Sequence, residues 1–265
     1  MKLQLIYPIK NKNSLIVKIL NNIKYSPILC NVCGKITYAK NDNPNNIRES
    51  YCCHHCKATT RQRQIAQLIC RTVNIKTLNK INKYTGYIYN TESSGPIHNQ
   101  LLRAKHYYFS EYFGNNYKSG EKVNGILNEN LKNLSFQKNI FDLVISSDVF
   151  EHIDKPYEAH KEVFRVLKNG GSHIFTVPFY ENQYLDETRA IIHNKKIKHL
   201  LKPLYHLDGI RPDEGILVFN IFSLEMLTKL KQIGFNTEMY KAITKLLCFN
   251  IHSSVIFQSI KNNKT

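Results

Sequence analysis

The middle of the sequence constrains the fold most, because a strand pattern, a helix pattern and a second strand pattern follow one another there. Phe141–Ile145 has the composition and length of a buried strand. We expect a helix after it, with Asp154 as the N-cap, Pro156 in the first turn and Gly170–Gly171 at its end. Ser172–Val177 is predicted as the next strand. Strands joined in this way form a right-handed crossover, so the pattern predicts an α/β fold built on a parallel sheet.

A second informative feature is a pair of Cys-x2-Cys sequences. Cys30 and Cys33 form the first pair, Cys53 and Cys56 form the second, and nineteen residues separate the pairs. Two residues between the thiols let one tight turn aim both sulfurs at the same ion, and Gly34 permits the geometry of the first turn. The spacing therefore predicts a four-thiolate zinc site. Since protein ligands fill all four positions, we expect the ion to be structural.

Disulfides and unrelated buried thiols are the alternatives for these cysteines. A reducing compartment disfavours the first alternative, and the paired spacing disfavours the second. Cys52 lies beside Cys53 and could replace it in a shifted register, whereas His54 and His55 are interpreted as bystanders.

Length bounds the organisation of the chain. Its 265 residues suffice for one domain of ordinary size and a small appended module. We expect an N-terminal segment at 1–26, a zinc module at 27–59, a connecting helix within 60–82 and an α/β domain at 83–262 with an insertion at about 179–215.

The connecting helix is predicted from apolar residues at helical spacing over Thr60–Lys76. The polar residues are expected largely elsewhere around the helix, on a solvated face that could alternatively contact an acidic partner. They are Arg61, Arg63, Gln64, Gln67 and Arg71. The apolar residues are Ile65, Leu68, Ile69 and Val73.

Charge and hydropathy bear on partners and location. The formal net charge of +17 is compatible with nucleic acid, but the Lys residues are scattered along the chain, which favours a generic basic surface. The amino-terminal stretch lacks the apolar run of a signal peptide, and no run approaches the roughly 18 apolar residues that span a bilayer. We therefore expect a cytoplasmic protein without membrane insertion.

The segment 141–178, FDLVISSDVFEHIDKPYEAHKEVFRVLKNGGSHIFTVP, resembles class I S-adenosylmethionine-dependent methyltransferases with a methyltransferase type 11-like domain. The chain also resembles a subgroup that places a paired-cysteine zinc module before the catalytic domain. The resemblance implies an α/β fold, with a Rossmann-like seven-stranded sheet and a small N-terminal zinc-ribbon-like module. It further implies S-adenosylmethionine as cofactor and in-line methyl transfer to an acceptor.

The resemblance extends upstream to the cofactor loop. Gly86–Asn90 is predicted as the first strand, and the loop after it supplies the cofactor-binding candidates Thr91, Glu92, Ser94 and Gly95. Gly95 alone remains of the glycines that the family has here, so the backbone approaches a ligand less freely.

Glu111 is the candidate for the ribose of the cofactor. It follows the strand-like run His106–Phe109 and lies nineteen residues beyond Glu92. An acidic residue at this spacing, at the end of the second strand, accepts hydrogen bonds from ribose hydroxyls.

Two further groups of candidates lie downstream. Val123–Leu127 is predicted as the third strand, and Asn130 after it stands about where the family has an Asp that contacts adenine. Ser146 and Ser147, at the carboxyl end of the central strand, are also assigned to the cofactor.

Asp148 and His152 are the catalytic candidates. They follow the central strand closely, and His152 is the nearest group able to take a proton near neutral pH. Its alternative role is to orient the turn through a hydrogen bond.

The insertion is predicted to recognise the acceptor, because long loops at this end of a sheet form lids and substrate walls. Its aromatic and polar residues suit a sugar, and the basic stretch Lys195–His199 suits a phosphate. After it we expect a helix at Leu224–Ile233 ended by Gly234, and final strands within Met239–Ser259. The acceptor candidates are Tyr180, Tyr184, His206 and Asp208.

Three functions compete at this point. The first is methylation of a sugar or small glycan precursor. The second is methylation of RNA or another nucleic acid, which the charge and the zinc module favour. The third is a non-catalytic zinc-containing binding protein on the same scaffold, which the glycine-poor loop allows.

Overall fold

The structure is a computed structural model that describes residues 25–43, 46–206, 215–246 and 249–262. The chain divides into two compact units. Of the described residues, the first unit comprises 25–43, 46–85, 94–107, 239–246 and 249–256, and the second comprises 86–93, 108–206, 215–238 and 257–262. The predicted domain boundaries stay a prediction.

The described residues contain four α-helices and eighteen strands. The helices are α1 (Thr60–Thr72), α2 (Gly95–Leu101), α3 (Pro156–Val166) and α4 (Leu224–Ile233). Short 3₁₀ helices occupy Ile47–Glu49, Leu78–Lys83 and Phe150–His152. The first nine strands are β1 (Tyr25–Leu29), β2 (Ile36–Lys40), β3 (Cys52–Cys53), β4 (Tyr87–Asn90), β5 (His106–Glu111), β6 (Lys122–Val123), β7 (Ile126–Asn128), β8 (Phe141–Ser147) and β9 (Leu167–Thr176). The others are β10 (Phe179–Tyr180), β11 (Glu187–Thr188), β12 (Ala190–His193), β13 (Lys196–His199), β14 (Tyr205–His206), β15 (Ile216–Leu217), β16 (Asn220–Ser223), β17 (Phe235–Leu246) and β18 (Phe249–Lys261).

The cysteine pairs belong to a small antiparallel sheet, β1-β2-β3, in the first unit. Helix α1 follows, and a capping box between Thr59 and Gln62 satisfies its first backbone N–H groups. The predicted apolar face of α1 is buried, as expected. The expectation for Arg63 and Gln64 was wrong, because both side chains are buried too.

The large sheet confirms the predicted α/β, Rossmann-like fold class. Its strand order is β17-β18-β9-β8-β4-β5-β7-β6. Strand β8 pairs in parallel with β4 and β9, and β18 pairs antiparallel with β9. The order reverses between β4 and β8, since β5 and β7 extend the sheet on one side and β9 on the other. At such a reversal, open α/β sheets form their ligand crevice outside the carboxyl ends of the strands.

The eighth strand is an addition to the predicted seven. It arises because Val123–Leu127 is a tight hairpin of β6 and β7 and not one strand. Asn124 and Gly125 form its turn, with φ of 51° and 81°. Positive φ at both central residues matches the twist of a two-residue hairpin, and Asn-Gly is the sequence that favours it.

Pro156 lies in the first turn of α3, as predicted, but the predicted N-cap and the predicted C-terminal end were wrong. Lys155, and not Asp154, occupies the N-cap position, while the Asp154 carboxylate pairs with Lys132. The helix ends at Val166, before the two glycines. Gly171 instead lies in an irregularity of the β8–β9 pairing, where a Cβ would come within 3.0 Å of the Phe141 carbonyl oxygen.

The predicted insertion forms short strands in place of a long irregular loop. Its described residues build the pairs β12-β13 and β14-β15 and contribute β10 and β11 to a small sheet with β16. Helix α4 ends at Gly234, which has a φ of 117°, as predicted. No helix in the described part of the chain is long and apolar enough to cross a membrane.

Candidate functional site

The four predicted zinc ligands converge in the first unit. The Cys30 and Cys56 sulfurs lie 3.7 Å apart, and those of Cys33 and Cys53 lie 3.9 Å apart. All four sulfurs lie within 4.8 Å of one another. A tetrahedron with zinc–sulfur bonds of about 2.3 Å places its sulfurs about 3.8 Å apart, whereas a disulfide needs about 2.05 Å. The cluster therefore fits a zinc ion and not two disulfides.

Each of the two cysteine pairs lies in its own backbone turn, and the two turns have the same shape. The Gly34 N–H donates to the Cys30 carbonyl at 2.7 Å, and the Lys57 N–H donates to the Cys53 carbonyl at 2.8 Å. The residue after each pair is left-handed, with φ of 72° at Gly34 and 63° at Lys57. Each turn presents its two sulfurs to the same point.

The neighbours of the cluster stay out of it. The Cys52 sulfur lies 3.9 Å from the Glu49 carbonyl oxygen, and the His54 ring stacks on Tyr38 with centroids 4.4 Å apart. The described residues thus bring together the four cysteines of the predicted register, without Cys52 or His54.

Arg63 supplies a buried positive charge to this region. Its Nη2 donates to the Tyr51 carbonyl at 3.1 Å and to the Thr60 hydroxyl at 3.3 Å. Burial lowers the pKa of Arg63, while nearby cysteine thiolates, Cys30 first among them, act to raise it. A guanidinium in this position offsets the negative charge that a four-thiolate zinc site carries, which is a physical reason for burying it.

In the second unit, the predicted cofactor loop follows the carboxyl end of β4, and Glu111 lies at the carboxyl end of β5. Both the backbone N–H and the hydroxyl of Ser93 donate to Glu111 Oε1, each at 2.8 Å. The second oxygen, Oε2, has no hydrogen-bond partner in the described part of the chain. Glu111 is thus held beside the loop with one carboxylate oxygen available to a ligand.

The loop candidates lie immediately after β4. The Thr91 N–H donates to the Ile145 carbonyl of β8 at 3.1 Å, which ties the loop to the central strand. The Glu92 carbonyl accepts from the Asn90 side chain at 2.8 Å. Ser94 is exposed and precedes α2, and Gly95 opens that helix with a φ of 90°.

Asn130 is engaged within its own loop. Its Oδ1 accepts the Lys132 N–H at 3.0 Å, and its own N–H donates to the Ser119 hydroxyl at 3.0 Å. One lone pair of Oδ1 is therefore committed, and a second remains for a ligand donor. Glu129 before it is buried and accepts from the Ser135 N–H, so it holds the loop.

The candidates after β8 differ in accessibility. Ser146 is fully buried, and its hydroxyl is hydrogen-bonded to His173 Nε2 at 2.9 Å. Asp148 has a φ of 53°, and its Oδ1 accepts from the Thr176 hydroxyl at 2.8 Å. Ser147 is also buried, whereas Asp148 is partly exposed at the end of the strand.

His152 lies in the 3₁₀ helix after β8 and forms the hydrogen bond that the alternative role required. Its Nδ1 lies 2.8 Å from the Leu217 carbonyl oxygen. A carbonyl only accepts, so Nδ1 carries the proton and Nε2 presents a lone pair. That lone pair lies 3.7 Å from Oε1 of Glu151.

His206 joins this group from the insertion. Its Nδ1 lies 3.6 Å from the same Glu151 oxygen, and its ring contacts His152 edge-on with centroids 5.1 Å apart. Glu151 is fully buried, and burial raises its pKa. The sequence prediction placed His206 among acceptor residues and missed Glu151, although its carboxyl group directly after a buried strand and before a histidine was a visible signal.

The remaining acceptor candidates are Tyr180, Tyr184 and Asp208. Tyr180 lies in β10 and Tyr184 follows it, and both rings are exposed. Asp208 lies outside the described residues.

Residues 103–175 match the methyltransferase domain family. A search of curated proteins found no match to the chain. Similar solved structures include an S-adenosylmethionine-dependent methyltransferase from Clostridium acetobutylicum, with 14% identity, a TM-score of 0.45, and 76% of this chain and 92% of that chain covered. Another is an S-adenosylmethionine-dependent methyltransferase from Mesorhizobium loti, with 12% identity, a TM-score of 0.42, and coverage of 66% and 91%. A third is a putative methyltransferase of Haloferax volcanii in complex with the Trm112 methyltransferase activator, with 13% identity, a TM-score of 0.42, and coverage of 68% and 84%.

Proposed function

We propose that this chain is an S-adenosylmethionine-dependent methyltransferase that acts on a sugar or glycan precursor in the cytoplasm. The observation that carries the proposal is Glu111, held by Ser93 at the carboxyl end of β5 with one oxygen available. The match of residues 103–175 to the methyltransferase domain family supports it independently.

The residues at the carboxyl ends of β4, β5 and β7 fit the nucleoside part of the cofactor. A carboxylate at the end of the second strand of a doubly wound sheet accepts hydrogen bonds from ribose hydroxyls. Asn130 keeps a lone pair for the adenine amino group, and Thr91 and Glu92 line the loop beside Glu111. Ser94 and Gly95 enter the proposal from the sequence resemblance alone.

When bound, the cofactor supplies an activated methyl group on a positively charged sulfur. The protein then contributes mainly placement, because a well-oriented pair of reactants gains several kcal/mol relative to free encounter, roughly 7 to 11 in favourable cases. For a hydroxyl acceptor, one proton must also leave. His152 Nε2 is proposed to receive it, since the Leu217 carbonyl fixes the proton of the ring on Nδ1. Asp148 is the second catalytic candidate.

A sugar acceptor is supported by the exposed tyrosines of the insertion. Tyr180 and Tyr184 present aromatic faces on which a sugar ring can stack and hydroxyls that can hydrogen-bond it. A nucleic-acid acceptor is the second candidate, favoured by the basic hairpin of β12 and β13. Every residue of β13 is exposed, including Lys196 and Lys198.

The four cysteines are proposed to hold a structural zinc ion. The sulfur separations carry this part of the proposal, and the closed ligand set leaves no position for a reacting group.

The test is release of the demethylated cofactor from S-adenosylmethionine in the presence of nucleotide sugars or RNA. Turnover with a nucleotide sugar supports the proposal, and His152→Ala should then lose at least about tenfold in kcat, whereas His193→Ala on exposed β12 should not. Turnover with RNA alone, steeply weakened by salt, would replace the sugar by the second candidate. No turnover with either acceptor, together with unaltered cofactor, would contradict the methyltransferase proposal.

A further inference from the structure

The cluster of Glu151, His152 and His206 holds a carboxylate without a hydrogen-bond partner. Glu151 is fully buried, and neither of its carboxylate oxygens has a hydrogen-bond partner among the described residues. His152 Nε2 and His206 Nδ1 lie 3.7 and 3.6 Å from Glu151 Oε1, which is beyond hydrogen-bond distance. Burying a charged group without a partner is costly, so a buried carboxylate is expected to be neutral, paired or bound to a metal.

The two histidines are arranged as ligands around that carboxylate. The Leu217 carbonyl takes the Nδ1 proton of His152, which leaves Nε2 as a lone-pair donor pointing at Glu151. A histidine that binds a metal through one nitrogen characteristically donates the other N–H to a carbonyl or carboxylate. The Leu217 contact therefore has the role of an outer-shell partner.

The separations suit a single small ion. All three ligand atoms lie within 4.8 Å of one another. Zinc-type bonds of about 2.0 to 2.2 Å to nitrogen and oxygen imply ligand separations of about 3.3 to 3.5 Å in a tetrahedron. The observed 3.6 and 3.7 Å exceed this by a few tenths of an ångström, which rotation of the side chains can close.

Backbone contacts support the position of the cluster. The Phe219 N–H donates to the Glu151 carbonyl at 2.7 Å, and β14 pairs with β15 so that His206 stands opposite Ile216. Gly215 makes this approach possible, because a Cβ there would lie 2.7 Å from the His206 carbonyl oxygen.

We propose that Glu151, His152 and His206 bind one divalent cation, distinct from the zinc ion of the four cysteines. Two imidazoles and one carboxylate suit the borderline ions from Mn²⁺ to Zn²⁺, and three protein ligands leave coordination positions open. The site rests on this geometry alone. If the proposed function also holds, an acceptor hydroxyl can occupy an open position, where the cation lowers the pKa of that hydroxyl. His152 Nε2 is then a ligand and cannot also accept the proton, so the proton passes to Asp148, the second catalytic candidate.

The experiment is a titration of the zinc-loaded protein with Mn²⁺, without any cofactor, followed by the electron paramagnetic resonance signal of free Mn²⁺. Mn²⁺ binds thiolates weakly, so the cysteine cluster does not contribute to the Mn²⁺ binding that is measured. We expect one Mn²⁺ per chain, and an affinity weakened more than about 100-fold in Glu151→Gln. The matched control Glu158→Gln, an exposed carboxylate on α3, should bind as the wild type does.

A second pair of variants and a melting measurement distinguish loss of the metal site from misfolding. His206→Ala should weaken Mn²⁺ binding, whereas His199→Ala on exposed β13 should not. Without Mn²⁺, Glu151→Gln should melt no lower than the wild type, because it removes an uncompensated buried charge. Added Mn²⁺ should raise the melting temperature of the wild type and leave that of Glu151→Gln unchanged. Absence of Mn²⁺ binding at millimolar concentration with one zinc per chain, or unchanged binding in Glu151→Gln, would overturn the proposal. Either result leaves the methyltransferase proposal standing, because cofactor binding is measured separately.

Discussion

The four-cysteine cluster and the Glu151 cluster show two ways in which a chain can bring metal-binding side chains together. The cysteine ligands come from two local turns of the same shape, and they fill every position around an ion. The Glu151 cluster combines adjacent residues after β8 with His206 from the insertion, and it supplies three ligands. A closed set of ligands stabilises a fold, whereas an open set leaves room for a reacting group. The two regions should therefore respond to different changes.

The largest effect is expected when a cysteine of the cluster is replaced, and replacement of the adjacent Cys52 should have little effect. Cys53→Ser removes one of four ligands, and structural zinc sites contribute about 10 to 16 kcal/mol of apparent binding free energy. We expect loss of stoichiometric zinc and unfolding of the β1–β3 sheet, measured by elemental analysis and hydrogen exchange. Cys52→Ser changes the adjacent residue, whose sulfur lies outside the cluster, and should keep both zinc and exchange protection. Equal zinc loss in the two variants would refute this set of ligands.

Acid should act on the second unit through a core histidine. His160 lies on the buried face of α3 and stacks on the Phe150 ring with centroids 4.0 Å apart. Burial lowers the pKa of His160 to about 3, below the ordinary value of 6.5. The unfolded chain therefore binds the proton first, so stability is full above about pH 6.5 and falls as the pH drops toward 3.

His160→Phe should remove that dependence, which amounts to at most about 1.4 kcal/mol per pH unit in the window from 6.5 to 3. We expect a shallower loss of stability in acid, measured by denaturant unfolding from pH 7 to 4.5. His193→Gln, on exposed β12, should follow the wild type. The pH of zinc release should not change in either variant, and a parallel shift of zinc release would show that the two regions are not independent.

Gly34→Ala tests the shape of the first cysteine turn. Gly34 has a φ of 72°, and an added Cβ would lie 2.6 Å from the Asn79 side chain. The left-handed backbone alone costs a non-glycine residue about 1 to 2 kcal/mol. We expect a lower melting temperature and faster zinc release to a chelator, and Gly34→Ala with Asn79→Ala should recover the steric part. No recovery in the double variant would place the whole cost in the backbone.

The smallest expected effect comes from the matching position of the second turn. Lys57 has a φ of 63°, so Lys57→Gly should relieve backbone strain and stabilise this turn by about 1 kcal/mol or less. Slower zinc release than in the wild type is the expected result. Lys57→Ala keeps the strain and is the control, and identical release from the two variants would contradict the shared turn.

The cysteine cluster was predictable because its spacing is local. Each pair lies within one turn, and the sequence itself shows which residues can reach a common ion. The buried strand β8 and the helix and strand after it were likewise predictable from periodicity. The hairpin at Asn124–Gly125 was missed although its two residues are a known turn signal.

Other features depend on tertiary contacts that no local pattern contains. Gly170–Gly171 predicted a helix end, yet Gly171 serves the close approach of β9 to the Phe141 carbonyl. Arg63 was predicted on a solvated face, yet it is buried, where it donates to the Tyr51 carbonyl and the Thr60 hydroxyl near the cysteine thiolates. His206 reaches Glu151 only because β14 and β15 pair, a contact between segments far apart in the sequence.

The central claim, that this domain binds S-adenosylmethionine through Glu111, is tested most directly by calorimetric titration of the zinc-loaded protein with the cofactor and its demethylated product. We predict micromolar binding of both, weakened at least about tenfold, or 1.4 kcal/mol, in Glu111→Ala. Glu121→Ala, at an exposed carboxylate that accepts only the Lys118 N–H, should bind normally. Absence of binding at millimolar cofactor in the folded, zinc-loaded protein would contradict the claim, and so would unchanged binding in Glu111→Ala.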